Sequence, residues 1–255
     1  MATELARGPW NPNAQHGGAP AALLMRAFEQ LDAEAPLAIA RITYEFLRPV
    51  PLGELAVEAR VSRPGRRVQL LEGAISAGDG KELVRARGLR MLRAGVPSTN
   101  SDSVPPLRPD RGQPDLPPGY PRGMPTFGAD AMDIRFVEGA FDEVGPATAW
   151  FRMRHPLVAG EEPSALQRLA AAGDFGNGIS AVVSWEKHLF INPDLTLYIE
   201  RDPVGEWICL QSQTRVADGG IGVSESTLFD GQGRVGRAGQ ALLVAPRSPT
   251  SAGTP

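Results

Sequence analysis

A repeat is the feature that most constrains how this chain of 255 residues can fold. Segments of the first half recur in the second half at a spacing of about 152 residues, and turn-forming glycines recur with them. The matches are residues 43–48 with 195–201, residues 53–54 with 205–206, residues 79–80 with 230–231, and Val84 with Val235. Because chance similarity seldom keeps both strands and turns in step, the repeat predicts two copies of one small domain.

The first copy is predicted to contain one buried helix followed by four antiparallel strands. An alanine-rich segment with apolar residues at helical spacing predicts the helix at residues 19–33, which ends before Pro36. Alternating and β-branched segments, separated by glycine and proline, predict the strands. These strands are expected at residues 37–48, 54–61, 68–76 and 83–92.

The second copy follows a proline-rich connection. Nine prolines lie within residues 94–126, and this composition interrupts helices and strands. Further strands are predicted at residues 132–137, 147–153, 195–199, 207–215, 222–229 and 235–244, with helices at 164–169 and 175–185. The resulting domains are residues 1–93, a linker at 94–128, residues 129–245, and a disordered tail at 246–255. The two sheets are expected to pair edge to edge, each around its own helix, with a ligand between the halves.

The composition is that of a soluble globular protein, with 42% hydrophobic residues, 22% charged residues and a net charge of −3. The charge gives no indication of a nucleic-acid partner, and no run of apolar residues is long enough to predict a membrane span. The N-terminal residues lack a signal-peptide pattern and Cys209 is the only cysteine, so we expect a cytoplasmic protein without disulfides. The histidines show no metal-ligand spacing, so neither a metal nor a cofactor is expected.

The glycine-rich segment at residues 173–178 (GDFGNG) is the strongest candidate for a functional site. Asp174 is predicted to lie near the N-terminus of the helix at 175–185, where free N–H groups favour a carboxylate. The glycines allow a ligand or another segment to approach the backbone. A structural helix cap would use the same residues, and the residue types alone favour that simpler interpretation.

Several motifs are similar to those of the double-hotdog acyl-CoA thioesterases, the family related to bacterial acyl-CoA thioesterase II. They are residues 16–18 (HGG), residues 173–178, residues 190–196 (FINPDLT), and the closing Gly239 and Gln240. The resemblance extends over about residues 8–245. It implies an α+β fold, a double hotdog of two tandem repeats, each with an antiparallel sheet wrapped around a central helix.

The resemblance also implies a set of site residues. In that family an Asp, a Ser or Thr, and a Gln of the second hotdog orient the water that attacks the thioester, and they correspond to Asp174, the position of Asn192, and Gln240. Because Asn192 has no hydroxyl and Thr196 is the nearest threonine, either of the two is expected to complete the set. Considered alone, Asn192 also suits a turn and Thr196 suits a strand.

Five further residues are predicted to bind substrate: His16, Gly17, Gly18, Gly176 and Gly178. Backbone N–H groups near the last two glycines could bind the thioester oxygen, because a residue without a side chain permits that approach. For His16, the residue types alone favour an ordinary loop histidine without a role. Cys209, in an apolar strand, is predicted to belong to the core rather than to act as a nucleophile.

The predicted function is hydrolysis of a fatty or other acyl-CoA to the free acid and CoA. Water oriented by Asp174 and Gln240 would be the nucleophile, so the reaction needs no covalent intermediate. The alternative is a non-catalytic acyl-CoA or acyl-chain binding protein, because Asn192 replaces the family's hydroxyl. The expected partner is the acyl-CoA substrate, and the resemblance leaves open a monomer or a homo-oligomer.

Overall fold

A computed structural model describes residues 1–97, 108–115 and 123–247. The strands are β1 Leu37–Phe46, β2 Leu55–Arg63, β3 Val68–Ala77, β4 Glu82–Leu92, β5 Gln113–Pro114, β6 Met132–Glu138, β7 Ala147–Met153, β8 His188–Ile191, β9 Asp194–Ile199, β10 Ile208–Val216, β11 Ile221–Asp230 and β12 Gly233–Pro246. The helices are α1 Gly18–Glu29, α2 Ala165–Gly173 and α3 Gly176–Ile179. Within these described ranges, no helix has the length and hydrophobicity needed to cross a membrane.

All twelve strands belong to one sheet, and every pairing in it is antiparallel. The strand order is β2-β3-β4-β1-β9-β12-β11-β10-β7-β6-β5, with β8 paired to β12. Four strands of the first half therefore lie in the same order as four strands of the second half, reading inward from β2 and from β10. The two groups meet where β1 pairs with β9, and Thr43 lies opposite Thr196 at that junction.

Helices α1 and α2 pack against each other and against the sheet. Helix α1 contacts β2, β3 and β4, whereas α2 contacts β7, β9 and β10. Leu24, Met25 and Phe28 of α1 are fully buried, as is Leu169 of α2. Apolar side chains from both helices and from one face of the sheet thus form the main core.

Helix α1 begins one residue before its predicted start and ends at Glu29, four residues before its predicted end at 33. The Arg90 guanidinium donates to the backbone carbonyls of Phe28 and Leu31. These bonds satisfy carbonyl groups that the end of a helix leaves free, so they stabilise an early termination.

The helix predicted at residues 175–185 is wrong. Helix α2 lies before it, and the Ser164 Oγ caps α2 by accepting a hydrogen bond from the Gln167 N–H at 3.0 Å. The glycine-rich segment then interrupts the helix, because glycine disfavours helical backbone, and only the single turn α3 follows. The predicted helix at 164–169 is therefore the start of the true one, which continues to Gly173.

Strand prediction was more accurate than helix prediction. Each predicted strand is present, with its ends within two residues of the predicted bounds. Two strands were missed: β8, which pairs with the end of β12, and the short β5, which pairs with β6. Part of the proline-rich linker therefore extends the sheet edge. Residues 98–107, 116–122 and 248–255 lie outside the described residues, including most of the tail predicted at 246–255.

Candidate active site

Asp174 lies where the C-terminal end of α2 is beside the N-terminal end of α1. It is the C-cap residue of α2 rather than an N-terminal residue of a following long helix, which corrects the sequence prediction. Its carboxylate nevertheless accepts a hydrogen bond from the backbone N–H of Gly18, the first residue of α1. A helix N-terminus therefore does face Asp174, but that helix belongs to the other half of the chain.

Three side chains surround the Asp174 carboxylate. The Asn192 Nδ2 donates to Oδ1 at 2.8 Å, and the Gln240 Nε2 lies 3.3 Å from the same oxygen. The Nδ1 of His16 lies 3.2 Å from Oδ2. The two halves of the chain thus both contribute to the surroundings of one carboxylate, which is only 6% exposed.

Desolvation shifts the pKa values of Asp174 and His16 in the directions that favour the neutral form of each side chain. Desolvation raises the pKa of Asp174 from 3.8 to about 7, although hydrogen bonds from Asn192, Gly18 and Gln240 oppose the shift. Desolvation also lowers the pKa of His16 from 6.5 to about 3. His16 is therefore neutral near pH 7, while Asp174 exchanges a proton there, as a general base or acid must.

A neutral imidazole at His16 can pair with either form of Asp174. With hydrogen on Nδ1, the imidazole donates to the carboxylate; with hydrogen on Nε2, the single Nδ1 lone pair accepts either from the protonated acid or from the Gly18 N–H, which lies 3.0 Å away. The ring contacts two aromatic neighbours that also contact each other, Phe127 at 5.1 Å and Phe175 at 4.3 Å between centroids. His16 is thus a partly exposed residue of the cavity wall that contacts Asp174.

Gln240 contacts the Asp174 carboxylate from strand β12, outside the lining of the cavity described below. It lies on β12, is 2% exposed, and is bonded at both ends of its amide. Its Oε1 accepts from the backbone N–H of Asn177 at 3.0 Å, while its Nε2 faces Asp174. These bonds fix the amide orientation, so Gln240 can position Asp174 and the α3 turn.

Asn192 and Thr196, the two candidates for the third position, are placed differently. The Asn192 Nδ2 donates to the Asp194 backbone carbonyl at 3.0 Å as well as to Asp174, and this fork orients the amide. The Thr196 Oγ1 instead donates to the Thr43 Oγ1 at 3.1 Å, at the junction of β1 and β9. The structure therefore brings Asn192, but not Thr196, to Asp174.

The predicted glycines serve close packing at this site. A Cβ on Gly17 would lie 2.6 Å from the Asp174 Oδ2, and one on Gly18 would collide with the Ala171 carbonyl oxygen. A Cβ on Gly176 would lie 2.9 Å from the Gln240 Oε1. Any other residue at these positions would displace the carboxylate or its supports. Gly178 has more room and lies in the wall of the adjacent cavity.

A cavity of about 150 Å³ opens beside the carboxylate. Asp174 and Asn192 form its polar side, together with His16, Gly17 and Gly178, whereas Gly18, Gly176 and Gln240 lie behind that surface. Aromatic side chains form much of the remaining wall: Trp10, Phe46, Phe141, Phe175 and Trp185. The site is therefore a small chamber, lined by both aromatic and polar residues, with one carboxylate of near-neutral pKa.

Sequence reasoning missed the aromatic wall and the role of Asn177. Trp10 lies in an irregular N-terminal segment and Trp185 in a stretch expected to be helical, so no period connected them with Asp174. Asn177 lies inside the quoted glycine-rich segment, and its backbone N–H and side chain contact Gln240 and Asn192. Only the glycines around Asn177 gave any signal for its position.

Other chemically versatile residues lie away from this chamber. Cys209 is fully buried beside Trp150 and Phe229, as predicted for a core residue, and burial raises the pKa of its thiol. In the described parts of the chain, no three His, Cys, Asp or Glu side chains come together in a way that could hold a metal ion.

Comparisons of structure place the fold among the hotdog proteins. A hot dog fold protein from Alicyclobacillus acidocaldarius has a TM-score of 0.75 and 16% identity, covering 97% of this chain and 92% of that one. A candidate thioesterase from Novosphingobium aromaticivorans has a TM-score of 0.75 and 21% identity, covering 95% and 92%. The acyl-CoA thioesterase II TesB2 from Mycobacterium marinum has a TM-score of 0.64 and 18% identity, covering 98% of both chains.

Family comparisons identify the class of enzyme. The model of the acyl-CoA thioesterase N-terminal domain matches residues 6–91, and that of the C-terminal domain matches residues 101–244. The chain therefore belongs to the acyl-CoA thioesterase family and is a thioester hydrolase. A search among curated proteins found no match.

Proposed function

We propose that the chain is a double hotdog in which the second repeat carries the catalytic acid and the first repeat completes its surroundings. The repeated four-strand order and the paired helices α1 and α2 support two tandem units. The domain boundaries remain those predicted, residues 1–93 and 129–245 joined by a linker at 94–128. The cytoplasmic location and the oligomeric state also remain predictions.

The proposed reaction is hydrolysis of an acyl-CoA to a carboxylic acid and CoA. The observation that carries it is the buried Asp174, whose pKa of about 7 belongs to a carboxylate at the wall of a small chamber. In its ionised form it accepts a proton from water as the water oxygen attacks the thioester carbonyl. Asn192 and Gln240 hold the carboxylate in place, so the nucleophile is generated in a fixed position.

In the second half of the reaction, Asp174 gives up the proton that it accepted from water. Attack forms a C–O bond and places negative charge on the carbonyl oxygen, for which the backbone N–H of Gly178 is the proposed donor, because that glycine lines the cavity. Collapse of this intermediate breaks the C–S bond. The protonated Asp174 then donates to the departing thiolate, so the products are the acid and the CoA thiol, and the carboxylate is regenerated.

His16 is proposed to maintain Asp174 through this cycle. With hydrogen on Nδ1, the neutral imidazole donates to the ionised Asp174 and, without a change of tautomer, to a lone pair of the protonated acid, and contacts with Phe127 and Phe175 hold the ring in position. The first repeat thereby supplies a positioning residue to the acid of the second repeat. Direct substrate binding by His16, which the sequence analysis predicted, stays a prediction, since His16 also lines the cavity.

The test is release of CoA thiol from a panel of acyl-CoA substrates, followed with a thiol reagent, for the wild-type chain and Asp174→Asn. We expect release by the wild type and strong loss in the variant. A chain that binds acyl-CoA but releases no thiol from any member would instead be an acyl-binding protein, the function that Asn192 in place of a hydroxyl would favour. Substrate binding measured by calorimetry on the same panel separates these outcomes.

A further inference from the structure

The aromatic wall is a connected assembly rather than a set of separate side chains. Trp10 stacks on Trp185 with 5.0 Å between ring centroids and an angle of 17° between the ring planes. Phe190 packs edge-on against both, at 5.4 Å and 4.5 Å. Such offset and edge-to-face contacts are favourable beyond the area they bury, so the two indoles hold each other in place.

Two other aromatic residues of the lining, Phe175 and Phe141, pack against residues of the core. Phe175 is 3% exposed and stacks on His16 and packs on Phe151 at 4.9 Å. Phe141 is 3% exposed and packs edge-on against Phe136 at 4.9 Å. Because these rings are fixed in the core, the chamber cannot lengthen in their direction without repacking the core.

The volume limits what this chamber can hold. At about 150 Å³ it is the size of the engineered apolar cavity that is known to bind benzene in another protein. A single ring, with its carbonyl carbon beside Asp174, fills such a space. A long acyl chain has more than twice as many carbon atoms as the roughly six of benzene, so most of it would remain outside.

We propose that the acyl subsite of this thioesterase takes a compact, ring-sized acyl group, with an aromatic acyl group as the best-matched class. The proposal rests on the proposed function, because it assigns the acyl group to the chamber beside Asp174. An aryl ring between Trp185 and the buried Phe141 and Phe175 would gain ring-to-ring contacts that a linear chain of equal size cannot make.

The positively charged residues near the chamber support an orientation of the substrate with its acyl group inside the chamber. Among the lining residues, Arg48 carries the positive charge and is exposed, and Arg247 lies over the Trp10 ring at 5.3 Å. Both arginines are exposed to solvent, and their cationic side chains could pair with the phosphate groups of CoA. The acyl group then points inward to the aromatic wall and the nucleotide points outward.

The decisive measurement is kcat/KM for benzoyl-, phenylacetyl-, hexanoyl-, octanoyl- and palmitoyl-CoA. We expect one of the two aryl substrates to exceed octanoyl- and palmitoyl-CoA by at least about tenfold, the discrimination available to a pocket that excludes extra methylenes. Equal or faster hydrolysis of octanoyl- or palmitoyl-CoA would overturn the proposal while leaving the hydrolase intact. A preference for hexanoyl-CoA over both aryl substrates would overturn the aromatic assignment. Absence of hydrolysis throughout the panel would refute the proposed function itself.

Removing one wall provides a second test. Trp185→Ala should raise kcat/KM for octanoyl-CoA relative to benzoyl-CoA by about tenfold, because it opens the chamber beside Trp10. Trp207→Ala is the matched control, since Trp207 lies between Arg135 and Arg152, outside the chamber wall, and should leave the ratio unchanged. Thermal melting of both variants establishes that each is folded. An unchanged ratio in folded Trp185→Ala would overturn the assignment of this wall.

Discussion

The Nδ1 of His16 lies 3.2 Å from the Oδ2 of Asp174, although 158 positions separate the two residues in the chain. His16 precedes helix α1 and Asp174 ends helix α2, so the antiparallel packing of the two helices creates the contact. Asp174 is buried and His16 is largely shielded from solvent, and desolvation shifts both pKa values in the direction that favours the neutral form. The proposed chemistry depends on this junction between the halves.

Replacing the acid tests its role most directly. Asp174→Asn should lower kcat by roughly 10²-fold or more, because the amide cannot accept the proton of water. The amide is close in size to the carboxyl group, so the fold should persist. The control is Asp79→Asn, a change in the exposed turn between β3 and β4, where activity should stay at the wild-type level. Full activity of Asp174→Asn would show that another group is the base.

The pH dependence follows from the raised pKa of Asp174. Because the carboxylate is the active form, kcat/KM should rise with pH, with a midpoint near 7, and should fall about tenfold per pH unit below it. A pH–rate profile between pH 5 and 9 measures this. A midpoint near 4, the value of an exposed carboxyl group, would contradict the buried geometry.

The stability of the fold should depend on pH in the opposite direction and decrease as the pH rises. Folding raises the pKa of Asp174 from 3.8 to about 7, so the native state binds the proton more tightly than the unfolded state. Its contribution to stability is complete below about pH 4 and is lost as pH rises through about 7, by an amount on the order of 4 kcal/mol. Asp174→Asn should therefore melt at a higher temperature than wild type at pH 8, and the difference should shrink toward pH 4. An equal difference at both pH values would argue against the shift.

Gln240 can be tested with two substitutions. Gln240→Ala should lower kcat by roughly 10²-fold, because Asp174 loses a donor and the Asn177 N–H loses its acceptor. Gln240→Glu keeps an acceptor for Asn177 but places a second carboxylate near Asp174, so the midpoint of the pH–rate profile should move upward. Gln211→Ala, at an exposed position on β10, is the control. A Glu variant with an unshifted midpoint would mean that position 240 does not face the acid.

The third site position is decided by comparing Asn192→Ala with Thr196→Val. Asn192→Ala removes the 2.8 Å bond to Asp174 and should lower kcat by about tenfold or more, as expected for loss of a hydrogen bond to a charged group. Thr196→Val removes only the bond to Thr43, so it should cost about 1 kcal/mol of stability and leave kcat unchanged. The reverse pattern in steady-state kinetics would restore Thr196 as the functional residue.

The packing of the two halves can be tested at a glycine. Gly17→Ala introduces a Cβ 2.6 Å from the Asp174 Oδ2, so the carboxylate must move and kcat should fall at least about tenfold. Gly17 has φ −61° and ψ −22°, which alanine adopts readily, so the backbone itself is not strained. Gly239→Ala is the matched control, because its Cβ would meet no atom within 4 Å even though it adjoins Gln240. Similar losses in both variants would indicate a general effect of the added methyl group.

Strands were predictable because their signal is local. The alternation and turn residues of β2 and of β10 appear within each segment, and the repeat reinforced the assignment. The helix predicted at residues 175–185 was misplaced because residues 173–185 contain apolar residues but also glycines, which disfavour a helix. The Ser164 cap marked the start of the observed helix α2. In a glycine-rich segment, the spacing of apolar residues was a weaker indication of a helix than the capping serine.

The sequence by itself predicted a duplication, located the strands, gave Asp174 and Gln240 as site candidates, and determined the absence of a hydroxyl at position 192. Only the tertiary structure decided that Asn192 rather than Thr196 reaches the acid, and that His16 lies beside it. These contacts join segments far apart in the chain, and no local pattern encodes the distance between them. The raised pKa of Asp174 is likewise a property of its burial, which arises only when α1 packs against α2.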